Sequence, residues 1–137
     1  MTNLEIIERP PVRHELEIEN ALRKQLLDQI KEESQVIVHC SFKATYPYSQ
    51  IRIWKSTFLY PRDAETRSAL IHCENISLYP DWMPVEYGQT LIFTLVFSGL
   101  PKECKSFDLM EKIPEPGGFE IRNIRRNSTD VYHVDIE

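Results

Sequence analysis

The sequence predicts an all-β, two-sheet antiparallel sandwich of about seven or eight strands with one N-terminal helix. Three observations carry this expectation. Between Ile92 and Tyr132, short apolar runs are separated by turns bearing Pro and Gly, as at Pro101 and Pro114-Glu115-Pro116-Gly117-Gly118. From Gln35 onward, runs of this kind recur roughly every 8–12 residues, the spacing of a sandwich or barrel. Ahead of them, Glu19–Glu33 keeps a helical spacing and holds no Gly or Pro. The division is therefore 1–34, an extended segment and amphipathic helix, and 35–137, the β domain.

Met1–Arg13 contains Pro10-Pro11 and reads as an extended lead-in. Glu15–Glu19 alternates, with Leu16 and Ile18 on one face and three glutamates on the other, as in a short edge strand. Ile18, Leu22, Leu26 and Ile30 then recur every four residues, which favours a helix. Its apolar stripe needs a cover, from its own sandwich or from a second copy by self-association.

Gln35–Thr45 is a strand with Val36, Val38, Cys40 and Phe42 on one face and Ile37, His39 and Ser41 on the other. Tyr46-Pro47-Tyr48-Ser49 is a turn. Gln50–Lys55 sets Ile51 and Ile53 opposite Arg52 and Trp54, and Thr57–Tyr60 is a short strand stopped by Pro61. A charged loop, Arg62–Arg67, leads to the strand Ala69–Glu74. Ser77–Gly88 reads as a long irregular connection. Leu91–Ser98 is the central strand, apolar on both faces and so expected to be covered on both. Phe107–Glu111, Phe119–Arg125 and Asp130–Ile136 complete the set.

At 137 residues the chain has the size of one domain and can bury a core without metal or disulfides. Its net charge of −5 argues against nucleic acid and anionic membrane surfaces as partners. Cys40, Cys73 and Cys104 form no CxxC pair, and their odd number suits a reducing compartment. No basic-then-apolar leader is visible at the N-terminus, and the longest apolar run, Leu91–Phe97, is too short to span a bilayer. These features point to the cytoplasm.

No motif carries catalytic chemistry. The dipeptides His39-Cys40 and His72-Cys73 raise the question of zinc, but strand neighbours point to opposite faces, so each pair supplies at most one ligand. The plainer reading is a buried cysteine beside a polar histidine, and no metal or other cofactor is expected. There is no G-x-S-x-G and no HExxH. The double glycine after Pro116 lacks the Lys-Ser/Thr of a phosphate loop and reads as a turn.

Two surfaces stand out. Tyr79-Pro80-Asp81-Trp82-Met83-Pro84, with Tyr46, Tyr48 and Tyr87, sets Trp and Tyr on Pro-bounded loops, good material for a binding hot spot. The competing role for Trp82 is to plug one end of the sandwich. Arg122, Arg125 and Arg126 form a local basic patch suited to an acidic partner or a phosphate, or to a solvated strand edge. Arg122 and Arg126 share a face only if no bulge intervenes.

The residues also resemble a known family. Ile51-Arg52-Ile53, Ser56-Thr57-Phe58-Leu59, Phe93-Thr94-Leu95 with Phe97, Leu100-Pro101-Lys102, Lys105-Ser106-Phe107-Asp108 and Gly118-Phe119-Glu120-Ile121 are similar to the strand-and-turn vocabulary of immunoglobulin-like β-sandwich modules of Bacteroidetes. Such modules often precede thioredoxin-like domains, and stand-alone relatives exist. The resemblance covers about two-thirds of the chain and rests on fold-making residues, so it implies an immunoglobulin-like sandwich and brings no site residue or redox role with it. The chain departs from it in lacking a visible export signal and a CxxC domain. A bacterial source makes the glycosylation-like triplets Asn75-Ile76-Ser77 and Asn127-Ser128-Thr129 chance matches.

The expected function is a non-enzymatic interaction module. It would hold a protein partner through Tyr79, Trp82, Tyr87, Arg122, Arg125 and Arg126, or self-associate through the helix. The alternatives are a small hydrolase or metal-dependent enzyme around His39, His72 and nearby acids, and a nucleic-acid or phosphate binder using the arginine edge.

Overall fold

A computed structural model describes residues 34–137 and Leu22. The expected N-terminal helix and its role in self-association lie outside the described residues. The described chain is mainly β. Its nine strands are β1 Val36–Lys43, β2 Ser49–Ile51, β3 Thr57–Pro61, β4 Ser68–Glu74, β5 Met83–Val85, β6 Thr90–Phe97, β7 Ser106–Glu111, β8 Glu120–Arg125 and β9 Val131–Ile136.

Seven strands form one sheet in the order β8-β7-β3-β4-β6-β1-β9, and β2 pairs with β5 as a separate ribbon. The long sheet closes over its own core like a sandwich or barrel, and β4 makes the corner. Its start pairs with β3 through Ser68 and Ala69, while Leu70 onward pairs with β6. The register slips between Leu70 and His72, so Ile71 is the extra residue, and bulges of this kind let a strand pass from one layer to the other.

Side-chain alternation fills the interior. Val36, Val38 and Cys40 of β1 face Phe93, Leu95 and Phe97 of β6, with Leu59 of β3 and Phe107 and Leu109 of β7 completing the centre, all of them buried. Each such side chain contributes about 1.5–3 kcal/mol by leaving water. The two halves meet directly where the Phe107 ring stands edge-on to Tyr132 of β9, with centroids 5.0 Å apart. Beside that contact, Arg126 forms a two-pronged ion pair with Asp130 at 2.5 and 2.9 Å and donates to the carbonyls of Pro101 and Cys104.

One pairing departs from the antiparallel expectation. β1 and β9 run parallel, with Ile37 opposite Val131 and Phe42 opposite Ile136. Hairpin neighbours must be antiparallel, but these two strands are separated by most of the domain, so their direction is unconstrained by a short loop. On the outer face of β6, Ile92 is 61% exposed.

Candidate functional site

The ribbon β2–β5 is anchored by Ile51 and Val85, both buried. Beyond its Ile51–Met83 end the chain turns into an aromatic cluster built on Arg52. The guanidinium lies 3.8 Å from the Trp82 ring centre, 4.6 Å from Tyr79 and 5.6 Å from Trp54. Trp54 and Tyr79 stack on each other at 3.8 Å. Arg52 Nη1 donates to the Pro80 carbonyl at 3.1 Å, and Nη2 lies 3.9 Å from Glu115. A cation over several ring faces, largely shielded from water, is a favourable use of the ring quadrupoles.

The backbone beneath the cluster is clamped. Ile53 N–H donates to Ser77 O and Tyr79 N–H donates to Ile53 O, so the segment before Trp82 runs as a short parallel bridge along Ile53. The Tyr79–Pro80 peptide is cis. Tyr79 and Trp82 nevertheless remain about half exposed, at 48% and 50%. At the other end of the ribbon the loop carrying Tyr46 and Tyr48 is joined to the loop carrying Tyr87. Ala44 N–H donates to Gln89 O, and Gly88 N–H donates to Ala44 O. Gly88 turns with φ of 84°, a conformation that glycine adopts without a Cβ penalty. The three tyrosines are exposed, Tyr48 almost completely. Only three residue pairs, roughly 7 Å of strand, separate the two aromatic groups along the ribbon.

A cavity of about 270 Å³ opens beside Trp82, lined by Phe42, Arg52, Trp54, Glu111, Phe119 and Ile136 among others. Trp82 thus both borders this end of the sandwich and faces outward. Glu111 is buried and accepts the Trp54 N–H at 2.9 Å. Burial pushes its carboxyl above the ordinary glutamate value, and hydrogen bonds from Trp54, Phe119 and Thr57 and the charge of Arg52 offset only part of this. A side chain at Gly118 would collide with the Glu111 carbonyl, so glycine permits this close approach of the β7–β8 turn.

The Glu111 shift has a pH signature. A carboxyl with a raised folded value binds its proton more tightly in the folded chain than in the unfolded one. The resulting stability is full below the ordinary value near 4.5 and is lost as pH rises through the raised value. Glu111→Gln, which stays neutral, is expected to gain in melting temperature relative to the wild type as pH rises above the ordinary value near 4.5 and through the raised one. A constant difference across paired melts would show that Glu111 ionises normally.

The arginines do not form one face. Asn123, in the middle of β8, has φ of 59° and the β7–β8 register slips between Phe107 and Leu109. This is the intervening bulge. Its N–H is captured by the Asp108 carboxylate at 2.7 Å, and Asp108 also accepts from Arg62 at 3.1 Å. Arg122 is held by Glu120 at 2.5 Å and lies 3.5 Å from Asp108. Arg126 is committed to Asp130 and two carbonyls. Among the described residues only Arg125 of the three makes no ion pair. The structure therefore brings Tyr79 and Trp82 together, sets Tyr87 with Tyr46 and Tyr48, and places Arg125 and Arg126 around one cavity with Lys105, a lining that does not include Arg122. Arg52, which organises the cluster, was legible only as a strand neighbour of Trp54.

The cysteines are free thiols, and burial drives Cys40 up to about 12, far from a reactive thiolate. Among the described residues no three His, Cys, Asp or Glu side chains converge on a common point, and no helix is long and apolar enough to cross a membrane.

No protein-family model, curated protein or solved structure matches the chain.

Proposed function

We propose that this is a non-enzymatic, immunoglobulin-like module that binds a protein partner through the aromatic surface around the β2–β5 ribbon. The observation that carries the reading is the presentation of Tyr79 and Trp82, and of Tyr46, Tyr48 and Tyr87, on backbone already fixed by hydrogen bonds. Large aromatic side chains on rigid loops lose little entropy on binding and supply much contact area. The immunoglobulin-like reading is supported by Tyr132, whose hydroxyl accepts the Asn127 N–H at 3.0 Å, a contact similar in form to the tyrosine corner of such sandwiches. Arg125, unpaired and exposed, is the arginine best placed to add to a partner contact from the β8 edge. The resemblance to bacterial stand-alone modules and a cytoplasmic setting belong to this same reading.

The test begins with a pull-down from the native host using the full chain, followed by affinity measurements on the captured partner. Trp82→Ala is expected to weaken binding by about 30-fold or more, the loss typical of a hot-spot aromatic. Tyr87→Ser is expected to weaken it less, and Arg122→Ala very little. Unchanged affinity in both Trp82→Ala and Tyr87→Ser, with folding intact, would place the binding surface elsewhere.

A further inference from the structure

The parallel pairing of β1 with β9 brings together two histidines that lie far apart in the sequence. His39 and His133 are direct register partners, and both point away from the core, because their neighbours Val38, Cys40 and Tyr132 point inward. Their ring centroids are 5.1 Å apart and the planes are tilted by 49°. Two imidazoles bound to one tetrahedral ion, each nitrogen at about 2.0–2.1 Å from it, place their ring centres about 5 Å apart. The observed centroid spacing matches that figure.

The surroundings fit as well. Thr94 Oγ1 of β6 lies 2.8 Å from His39 Nδ1. In the tautomer whose Nδ1–H donates to Thr94, Nε2 carries the free lone pair. An outer-shell partner on the second ring nitrogen is the usual way a metal-binding histidine is oriented. Asp135 follows His133 on the same face of β9, fixed by Ser41 Oγ at 2.7 Å, and adds negative charge nearby.

We propose that His39 and His133 form a solvent-open, two-imidazole site for a divalent transition ion of the zinc and copper class. The protein supplies two ligands and the remaining positions are open to water or to a donor from a bound molecule. Imidazole selects Zn²⁺, Ni²⁺ and Cu²⁺ over the oxygen-seeking Ca²⁺ and Mg²⁺. This site is separate from the aromatic surface, and its failure would leave the binding-module reading untouched.

The experiment is a titration of the untagged full chain with Zn²⁺ alone, followed by NMR of the histidine rings and by calorimetry. The His39 and His133 ring signals are expected to move together while that of His72 stays in place. Cu²⁺ is expected to bind more tightly than Zn²⁺, and Ca²⁺ and Mg²⁺ not to compete. His39→Ala and His133→Ala should each weaken Zn²⁺ binding at least about tenfold, and Thr94→Val, acting only through the orientation of His39, about tenfold. His39→Gln and His133→Gln serve if an alanine variant fails to fold. Unmoved His39 and His133 signals at millimolar Zn²⁺ would overturn the proposal, as would wild-type affinity in both histidine variants.

Discussion

Phe107→Ala is expected to cost about 3–5 kcal/mol of unfolding free energy, a large part of the stability of a domain this size. Phe107 is fully buried, and its ring closes edge-on against Tyr132, where the two ends of the long sheet face each other. Truncation removes the transfer energy of the ring, leaves a cavity, and deletes the edge-to-face contact. The neighbours cannot collapse to fill the gap, because the backbones of β7 and β9 are held in separate ladders, β7 between β3 and β8 and β9 against β1. Phe107→Leu, which keeps most of the volume, is expected to lose clearly less. Urea unfolding of the three proteins measures this. A loss under about 1 kcal/mol for the alanine variant would show that the two ends do not pack as described.

Arg126→Ala should be the most damaging of the arginine substitutions, at about 3 kcal/mol. Arg126 and Asp130 are largely shielded, with side chains 17% and 16% exposed. Removing the guanidinium leaves the Asp130 carboxylate with only the Tyr132 hydroxyl as a donor, takes one of two donors from the Pro101 carbonyl, and removes the Arg126 donor from the Cys104 carbonyl. Lysine should rescue little, since a single ammonium cannot reproduce the planar fork. Arg125→Ala, by contrast, should stay within about 0.5 kcal/mol of wild type. Comparable losses in both variants would contradict the assigned roles. The same network has an acid signature. Burial works against ionisation of Asp130, but the hydrogen bonds from Arg126 and Tyr132 and the charge of Arg126 prevail and hold it below the ordinary aspartate value. Its stabilisation is present above about 3.8 and is lost as pH falls through the lowered folded value. Asp130→Asn should therefore differ most from wild type near neutrality and least in strong acid.

Alternation and turn chemistry are local signals, and they placed eight of the nine strands within a residue or two for most, although β2 is much shorter than the expected Gln50–Lys55. β5 escaped because three residues centred on Pro84 show no period and Pro argues against a strand. The exposed aromatics Tyr79 and Trp82 were legible because Trp82 sits between Pro80 and Pro84 and Tyr79 directly precedes Pro80. The geometry of the arginine patch was legible only in part. Whether Arg122 and Arg126 share a face depends on the backbone at Asn123, and an asparagine in the left-handed region gives only a weak sequence signal. The His39–His133 pair was not legible at all. Nothing local says that β1 lies parallel to β9, in a register that sets residue 39 beside residue 133.

That last pairing also orders events in time. Ser41 and Asp135, which bond across it, are 94 residues apart along the chain. During synthesis β1 can already line up with β6, but one flank of it stays open until the closing residues of β9 emerge. For that interval its outer row of amide and carbonyl groups is an unpaired sheet edge, the kind that other chains can add to. Closing so distant a contact is also entropically slow. The vulnerable moment for this fold is thus the wait before β9 arrives.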